Sequence, residues 1–236
     1  MEQSIFDELS VVNFQENLFR NIKSIRIAQD LYDDLSDNPV DWGSAHKAEL
    51  NSKPKHYSPT PIINRPFDEA LFIQAIDFPF KPVNWAASRF SNGNYGVWYG
   101  ALEFLTTIHE TVHHWRKFLK STQFDNHDLP IISERRVFKV YCDALLLDLR
   151  KKVPLFPKLV HPEEYSFTQT IGQHIHSQGH PGLLNRSARF DGDITAIFHP
   201  KVLSSPIDYC YLSYSLDPKT KRISIERTSG EILLML

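Results

Sequence analysis

Residues 84–115 read NWAASRFSNGNYGVWYGALEFLTTIHETVHHW, and the fold class turns on how this stretch divides. An arginine beside an aromatic, Arg89 and Phe90, leads into a glycine-rich turn from Ser91 to Gly96. Asn94 to Leu102 then alternates in the manner of a strand. From Thr106 to Leu119 the period changes. Ile108, Val112, Trp115 and Leu119 share one face of a helix, and Thr107 with Glu110 has the spacing of a capping box. Glu110 lies nearly opposite the apolar stripe, so it faces either solvent or a cleft. An aromatic strand running straight into an amphipathic helix sets the expectation of a mixed α/β chain.

Downstream the same alternation of periods continues. Arg136 to Leu147 is rich in β-formers, and Tyr165 to Ser177 reads as a helix with Thr168, Ile171, Gly172 and Ile175 on one side. Gly179-His180-Pro181-Gly182 breaks it. Leu183 to Phe190 and Ile194 to Phe198 read as strands joined at Asp191-Gly192-Asp193, a tight-turn signal. The tail from Tyr209 to Leu236 alternates in part, with turn residues at Asp217-Pro218.

Upstream, Phe14, Leu18, Ile22, Ile25 and Leu31 recur near helical spacing. The spacing predicts one or two amphipathic helices over Asn13 to Leu35, stopped at Asn38-Pro39. Asp33, Asp34 and Asp37 read as a solvated helix end. Pro54, Pro59, Pro61 and Pro66 mark an extended connector. Ala70 to Ile76 fits a helix or a buried strand, and periodicity alone does not choose. The expected organisation is an N-terminal helical extension over residues 1–55 followed by one catalytic domain over residues 56–236.

Composition narrows the function classes. With 236 residues, 42% of them hydrophobic, and 16 Phe, 9 Tyr and 4 Trp, the chain can fill a sizeable core. A formal net charge of -2 without a long basic run argues against direct nucleic-acid binding, which needs clustered Lys and Arg. The first residues, MEQSIFDELS, lack the basic and apolar regions of a secretion signal, and no apolar run approaches the roughly 20 residues that span a bilayer. Cys142 and Cys210, the two cysteines, read as reduced thiols. The expectation is a soluble cytoplasmic protein.

Two chemistries compete for the central stretch. His109, Glu110 and His113 spell HExxH. Residues four apart share a helix face, so both imidazoles can reach one zinc while the glutamate polarises its water. A catalytic zinc normally takes a third protein ligand. Leu119 stands where the longer form of the motif has another histidine, and Glu134 lies in ERRVFKV, which reads as loop and strand. The second chemistry uses Arg89, Tyr99 and Glu110, spaced by ten and eleven residues, together with Ser187.

That ordered set resembles the RES-domain family, named for its Arg, Glu and Ser. The resemblance runs through RFSNGNYGVWYGA (89–101), IHETVHHWRKFL (108–119), LLLDLR (145–150), EEYSFTQTIGQHIHSQG (163–179) and RSARFDGDITAIFHP (186–200), from near Asp68 to near Tyr214. It implies an ADP-ribosyltransferase-like central sheet flanked by helices, with NAD+ as substrate in a cleft. It also implies a toxin that destroys NAD+ by hydrolysis or phosphorolysis, with phosphate as a co-substrate in the second case. The partner implied is an Xre-type antitoxin, and the assembly implied is a homodimer or a larger complex with the antitoxin. Transfer of ADP-ribose to a protein stays open as an acceptor, alongside water and phosphate. No metal and no separate cofactor are expected on this reading.

Residue chemistry gives each position a task. Breaking the nicotinamide–ribose bond builds positive charge on the ribose, and a carboxylate held against it stabilises that state selectively. Glu110 is the candidate. An arginine fork suits a diphosphate, and Arg89 is placed to supply it. Tyr99 offers a ring to stack and a hydroxyl to fix it. Ser187 is expected to bond the ribose or amide and to hold Glu110 in position. The resemblance also implies a further NAD-binding arginine on an early strand, and Arg65 is the nearest candidate for it. His114, one helical turn after Glu110, is the histidine best placed to line the cleft.

Overall fold

A computed structural model describes residues 4–24, 73–122, 129–228 and 230–236. These belong to one unit of the chain, formed by Met1–Ser24 and Phe67–Leu236. Arg65, the acidic cluster at residues 33–37 and the proline connector lie outside the described residues.

The first described element corrects the sequence-based expectation. Ser10–Lys23 is a strand, β1, where a helix was predicted from Asn13 onward. Phe14, Leu18 and Ile22 are four apart, a spacing that serves a helix and also the even face of a strand. The odd positions decide. Asn13, Gln15 and Asn17 are exposed, while Phe14 and Leu18 on the even face are buried. Asn13 and Asn17 are weak helix formers, and a polar row on one face suits the solvated side of a strand. β1 pairs along its whole length with a later strand, from Ser10↔Asp148 to Lys23↔Arg135. The helical extension therefore does not exist over residues 10–23, which are built into the central sheet. The rest of that predicted helix, residues 25–35, lies outside the described residues.

Ile73–Asp77 forms a single π-helical turn, so the described part of that segment is helical rather than a strand. A two-stranded hairpin follows, β2 (Ala87–Ser88) and β3 (Ser91–Asn92), and then β4 (Trp98–Ala101). Helix α1 covers Phe104–Ser121. Its start also differs from expectation. Glu103 occupies the N-cap position and Thr107 lies inside the helix, so the Thr107–Glu110 spacing is not a capping box. Strand β5 (Ile131–Asp148) is followed by α2 (Ser166–Ser177), β6 (Gly182–Arg186), β7 (Asp193–Ile197), β8 (Leu203–Leu216), β9 (Ile223–Thr228) and β10 (Glu231–Met235).

Eight strands make one sheet in the order β1-β4-β7-β6-β5-β8-β9-β10. Because β1 also pairs with β5, the order closes on itself through β1, β4, β7, β6 and β5. Strands β8, β9 and β10 continue outward from β5. The expected mixed α/β architecture, a large central sheet flanked by helices, is what the chain forms.

The two helices bury different apolar faces. Ile108, Val112, Trp115 and Leu119 of α1 pack on Val137, Leu212, Tyr214 and Ile225. Ile171 and Ile175 of α2 pack with Phe90, Tyr95, Leu183 and Ala196. Trp98 lies in a third cluster with Phe14, Leu18 and Phe138. Tyr214 adds a polar tie between α1 and the sheet. Its hydroxyl is 3.0 Å from Thr111 Oγ1 and accepts from Asn21 Nδ2 at 3.0 Å. Thr111 follows Glu110, so this tie fixes the rotation of α1 at the residue beside the candidate carboxylate. Among the described residues no helix is long and apolar enough to cross a membrane.

Candidate functional site

Arg89 and Phe90 form the tight turn of the β2–β3 hairpin, closed by the pair Ser88↔Ser91, so Arg89 sits on a turn and not within a strand. The turn is held from three sides. Tyr99 Oη accepts from Phe90 N at 2.9 Å and lies 2.9 Å from Ser88 Oγ. Tyr95 Oη donates to Phe90 O at 2.6 Å. Gln169 Nε2 of α2 donates to Ser88 O at 3.0 Å. Gly172 permits this approach, because a side chain there would meet the Phe90 backbone.

The bracing points the Arg89 side chain inward, where it is only 7% exposed. Its guanidinium lies 4.6 Å from the Tyr165 ring centroid. Nη1 donates to His161 O at 3.0 Å and to Leu159 O at 3.4 Å, and Nη2 is buried without a partner. Burial lowers the Arg89 pKa; Tyr165 and Glu110 act against that, and Arg189 adds to it. Tyr99 is held above the usual phenol range, at about 12, chiefly by burial. Its carbonyl accepts from Arg20 Nη1 at 2.7 Å, so β1 also supports the position of Tyr99.

The carboxylate comes from α1. Glu110 is half-buried on α1, and Ser187 Oγ donates to its Oε1 at 2.6 Å. The same Ser187 oxygen accepts from Arg189 N at 3.0 Å and Phe190 N at 3.2 Å. The loop carrying Ser187 is fixed at both ends. Arg186 and Arg150 both pair with Asp193, at 3.0 and 2.7 Å, and Arg150 also holds Asp148 at 2.8 Å. Glu103 Oε2 accepts from Asp193 N at 3.1 Å and from Thr106 Oγ1 at 2.9 Å, which docks the loop on the start of α1. Of the four sequence-selected residues, Glu110 and Ser187 are in direct contact, and Tyr99 braces the turn that carries Arg89. Arg89 and Glu110 influence one another electrostatically across the gap.

The histidines of HExxH take other partners. His109 stacks on Phe190, with ring centroids 4.4 Å apart and 18° between planes. His113 Nε2 lies 2.9 Å from Arg189 Nη2. Arginine has no lone pair to offer, so Nε2 accepts and the proton resides on Nδ1. Among the described residues no group of three or more His, Cys, Asp or Glu is arranged to hold a metal ion. The two imidazoles are turned to separate neighbours, which does not fit a shared zinc. His114 is exposed by area, yet its pKa is lowered, first by desolvation, with Glu110 opposing and Arg189 and Arg89 reinforcing.

His113 is held far down, at about 4, by desolvation first and then by Arg189 and His114. His109, His114 and His176 are lowered in the same direction. A histidine whose folded pKa lies below its unfolded value takes up its proton first in the unfolded chain. Its contribution is complete above about pH 6.5 and is lost as the pH falls toward about 4. Denaturant midpoints measured across that window should fall with acidification, and His113→Gln should flatten the slope. A flat wild-type profile would contradict the neutral histidines.

Three further residues line the site that the sequence pattern did not single out. Arg189 reaches across to the Pro162 carbonyl and lies 3.3 Å from Tyr165 Oη. Tyr165 lies under Arg89. Asn185 is fully buried and donates to Leu159 O at 3.1 Å, the same carbonyl that Arg89 engages. Arg189 and Asn185 flank Ser187 in NRSARF. That proximity was their sequence signal, but side-chain direction in a loop cannot be read from order alone.

The RES domain family model matches residues 63–217. The chain belongs to the RES-domain family. No curated protein matches it at a significant level. Among solved structures, the crystal structure of the M. tuberculosis MbcT–MbcA toxin–antitoxin complex is similar at 11% sequence identity, covering 84% of this chain and 86% of that chain, with a TM-score of 0.46.

Proposed function

We propose that this RES-domain protein cleaves the nicotinamide–ribose bond of NAD+, passing the ADP-ribosyl group to water or phosphate, and that it is the toxin of a toxin–antitoxin pair. The observation that carries the reading is the Glu110 carboxylate held by Ser187, with the buried Arg89 on its braced turn near enough to feel its charge. In this reading nicotinamide leaves with the bonding electron pair and the ribose carbon becomes cationic. A carboxylate already oriented by Ser187 stabilises that cation without reorganising at the moment of reaction. Arg89 binds the diphosphate, and the Tyr99 ring packs against the nicotinamide riboside. Water attack gives ADP-ribose and a proton; phosphate attack gives the ADP-ribosyl phosphate. The family supports an Xre-type antitoxin as partner, a homodimer or larger complex as the assembly, and the cytoplasm, where NAD+ is found, as the location.

A product assay tests this directly. The purified full chain, free of inhibitor, is incubated with NAD+ in the presence and absence of phosphate. Nicotinamide release is expected in at least one condition, and the second product names the acceptor. NAD+ left intact in both conditions overturns the proposal.

A further inference from the structure

Two guanidinium groups contact the same side chain, Tyr165, and among the described residues neither forms an ion pair with a carboxylate. Tyr165 lies between them. Its ring supports Arg89 at 4.6 Å, and its hydroxyl is 3.3 Å from Arg189 Nη2. The other contacts of both arginines are to neutral acceptors: His161 and Leu159 carbonyls for Arg89, and the Ala188 and Pro162 carbonyls and His113 Nε2 for Arg189. Each guanidinium also keeps one buried nitrogen without a partner, Nη2 of Arg89 and Nε of Arg189. A buried, unsatisfied N–H on a cation is costly, and two cations near one another compound the cost. An anion between them removes both penalties.

We propose that Arg89 and Arg189 form a two-armed receptor for a phosphate oxyanion, with Arg189 as a binding residue of the site. The placement of this receptor beside Glu110 rests on the NAD-cleaving reading. The ligand chemistry follows from the forks: planar guanidinium pairs match the oxygens of a phosphate group, which accepts several charge-assisted hydrogen bonds at once. Such a group reaches this cleft from two sources, the diphosphate of the dinucleotide or inorganic phosphate serving as acceptor. Neutral His113, accepting from Arg189, adds no third positive charge to compete with the anion.

Titration calorimetry of the full chain in low-chloride buffer, with ADP-ribose and inorganic phosphate as separate probes, tests the receptor. Arg189→Gln should weaken at least one probe by roughly tenfold to a hundredfold, the range for hydrogen bonds to charged groups. Arg189→Lys, which keeps the charge and loses the fork, should recover part of the loss. A loss confined to ADP-ribose assigns the receptor to the substrate diphosphate; one confined to phosphate assigns it to the acceptor; either supports it. Wild-type affinity of Arg189→Gln for both probes overturns it, as does failure of the wild type to bind either. Should Arg189→Gln not fold, the Arg189 Nε–H resonance of the wild type decides: it moves on saturation with a probe if the receptor is correct and stays fixed if it is not. A protein that binds the probes yet leaves NAD+ intact defeats the cleavage reading alone and leaves the receptor standing.

Discussion

Glu110→Gln is expected to lower nicotinamide release by a factor on the order of 10²–10³, the usual cost of removing one preorganised electrostatic stabiliser. The substitution isolates charge from shape. A glutamine carbonyl still accepts from Ser187 Oγ, so the 2.6 Å contact and the docking of the Ser187 loop persist. Thr111 still ties α1 to Tyr214, and the apolar stripe is untouched. The melting temperature should therefore move little while the rate collapses. Affinity for NAD+ should change much less than turnover, because the carboxylate matters most once the ribose becomes cationic. Ser187→Ala provides the companion measurement. It leaves the charge but removes its orientation, so its loss should be smaller than that of Glu110→Gln. A Glu110→Gln protein that depletes NAD+ at the wild-type rate would remove this residue from the chemistry, and with it the reason for placing the reaction at this cleft.

The elements surrounding that carboxylate were legible to different degrees, for physical reasons. Helix α1 was legible because Ile108, Val112, Trp115 and Leu119 repeat only at helical spacing, and all four are buried. Its first residue was not, because Thr107 with Glu110 has the spacing of a capping box, whereas Glu103 takes the cap position and Thr106 bonds to it. β1 was misread because a four-residue spacing is shared by both periods, and its long partner, β5, lies more than a hundred residues away. The turn carrying Arg89 depends on bonds from Tyr99, Tyr95 and Gln169, none of them local enough to appear as a turn motif. For Glu110, helical geometry left solvent or a cleft open, and only the bond from Ser187, 77 positions along the chain, shows what its carboxylate meets. Arg189 was hidden by the same limit. A loop arginine is a surface residue by default, and only the approach of His113, Pro162 and Tyr165 gives it an inward direction.

The Arg89 turn also depends on the absence of a side chain on α2, and Gly172→Ala should expose that dependence. In an open helix this change is favourable by up to about 1 kcal/mol, because alanine costs less backbone entropy. Here an added Cβ would overlap the Phe90 carbonyl oxygen and come within 2.8 Å of its carbon and 3.0 Å of its Cα. These are backbone atoms of a turn held by Tyr99 and Tyr95, so no rotamer change relieves the clash. Overpacking of this kind costs about 1–3 kcal/mol and sometimes more, which outweighs the propensity gain. The net expectation is a loss of stability, read as a lowered denaturant midpoint with an unchanged slope. Activity should fall with it, because α2 and the Phe90 turn must separate and Arg89 moves with that turn. Gly179→Ala gives the contrast. Gly179 has φ +77 and nothing within 4 Å of an added Cβ, so its cost comes from backbone conformation alone, about 1 kcal/mol, with Arg89 undisturbed. Comparable destabilisation by the two substitutions, accompanied by loss of NAD+ cleavage only in Gly172→Ala, would trace the activity to the packing of α2 on the arginine turn. A Gly172→Ala protein as stable and active as the wild type would mean that the turn does not need the close approach of α2.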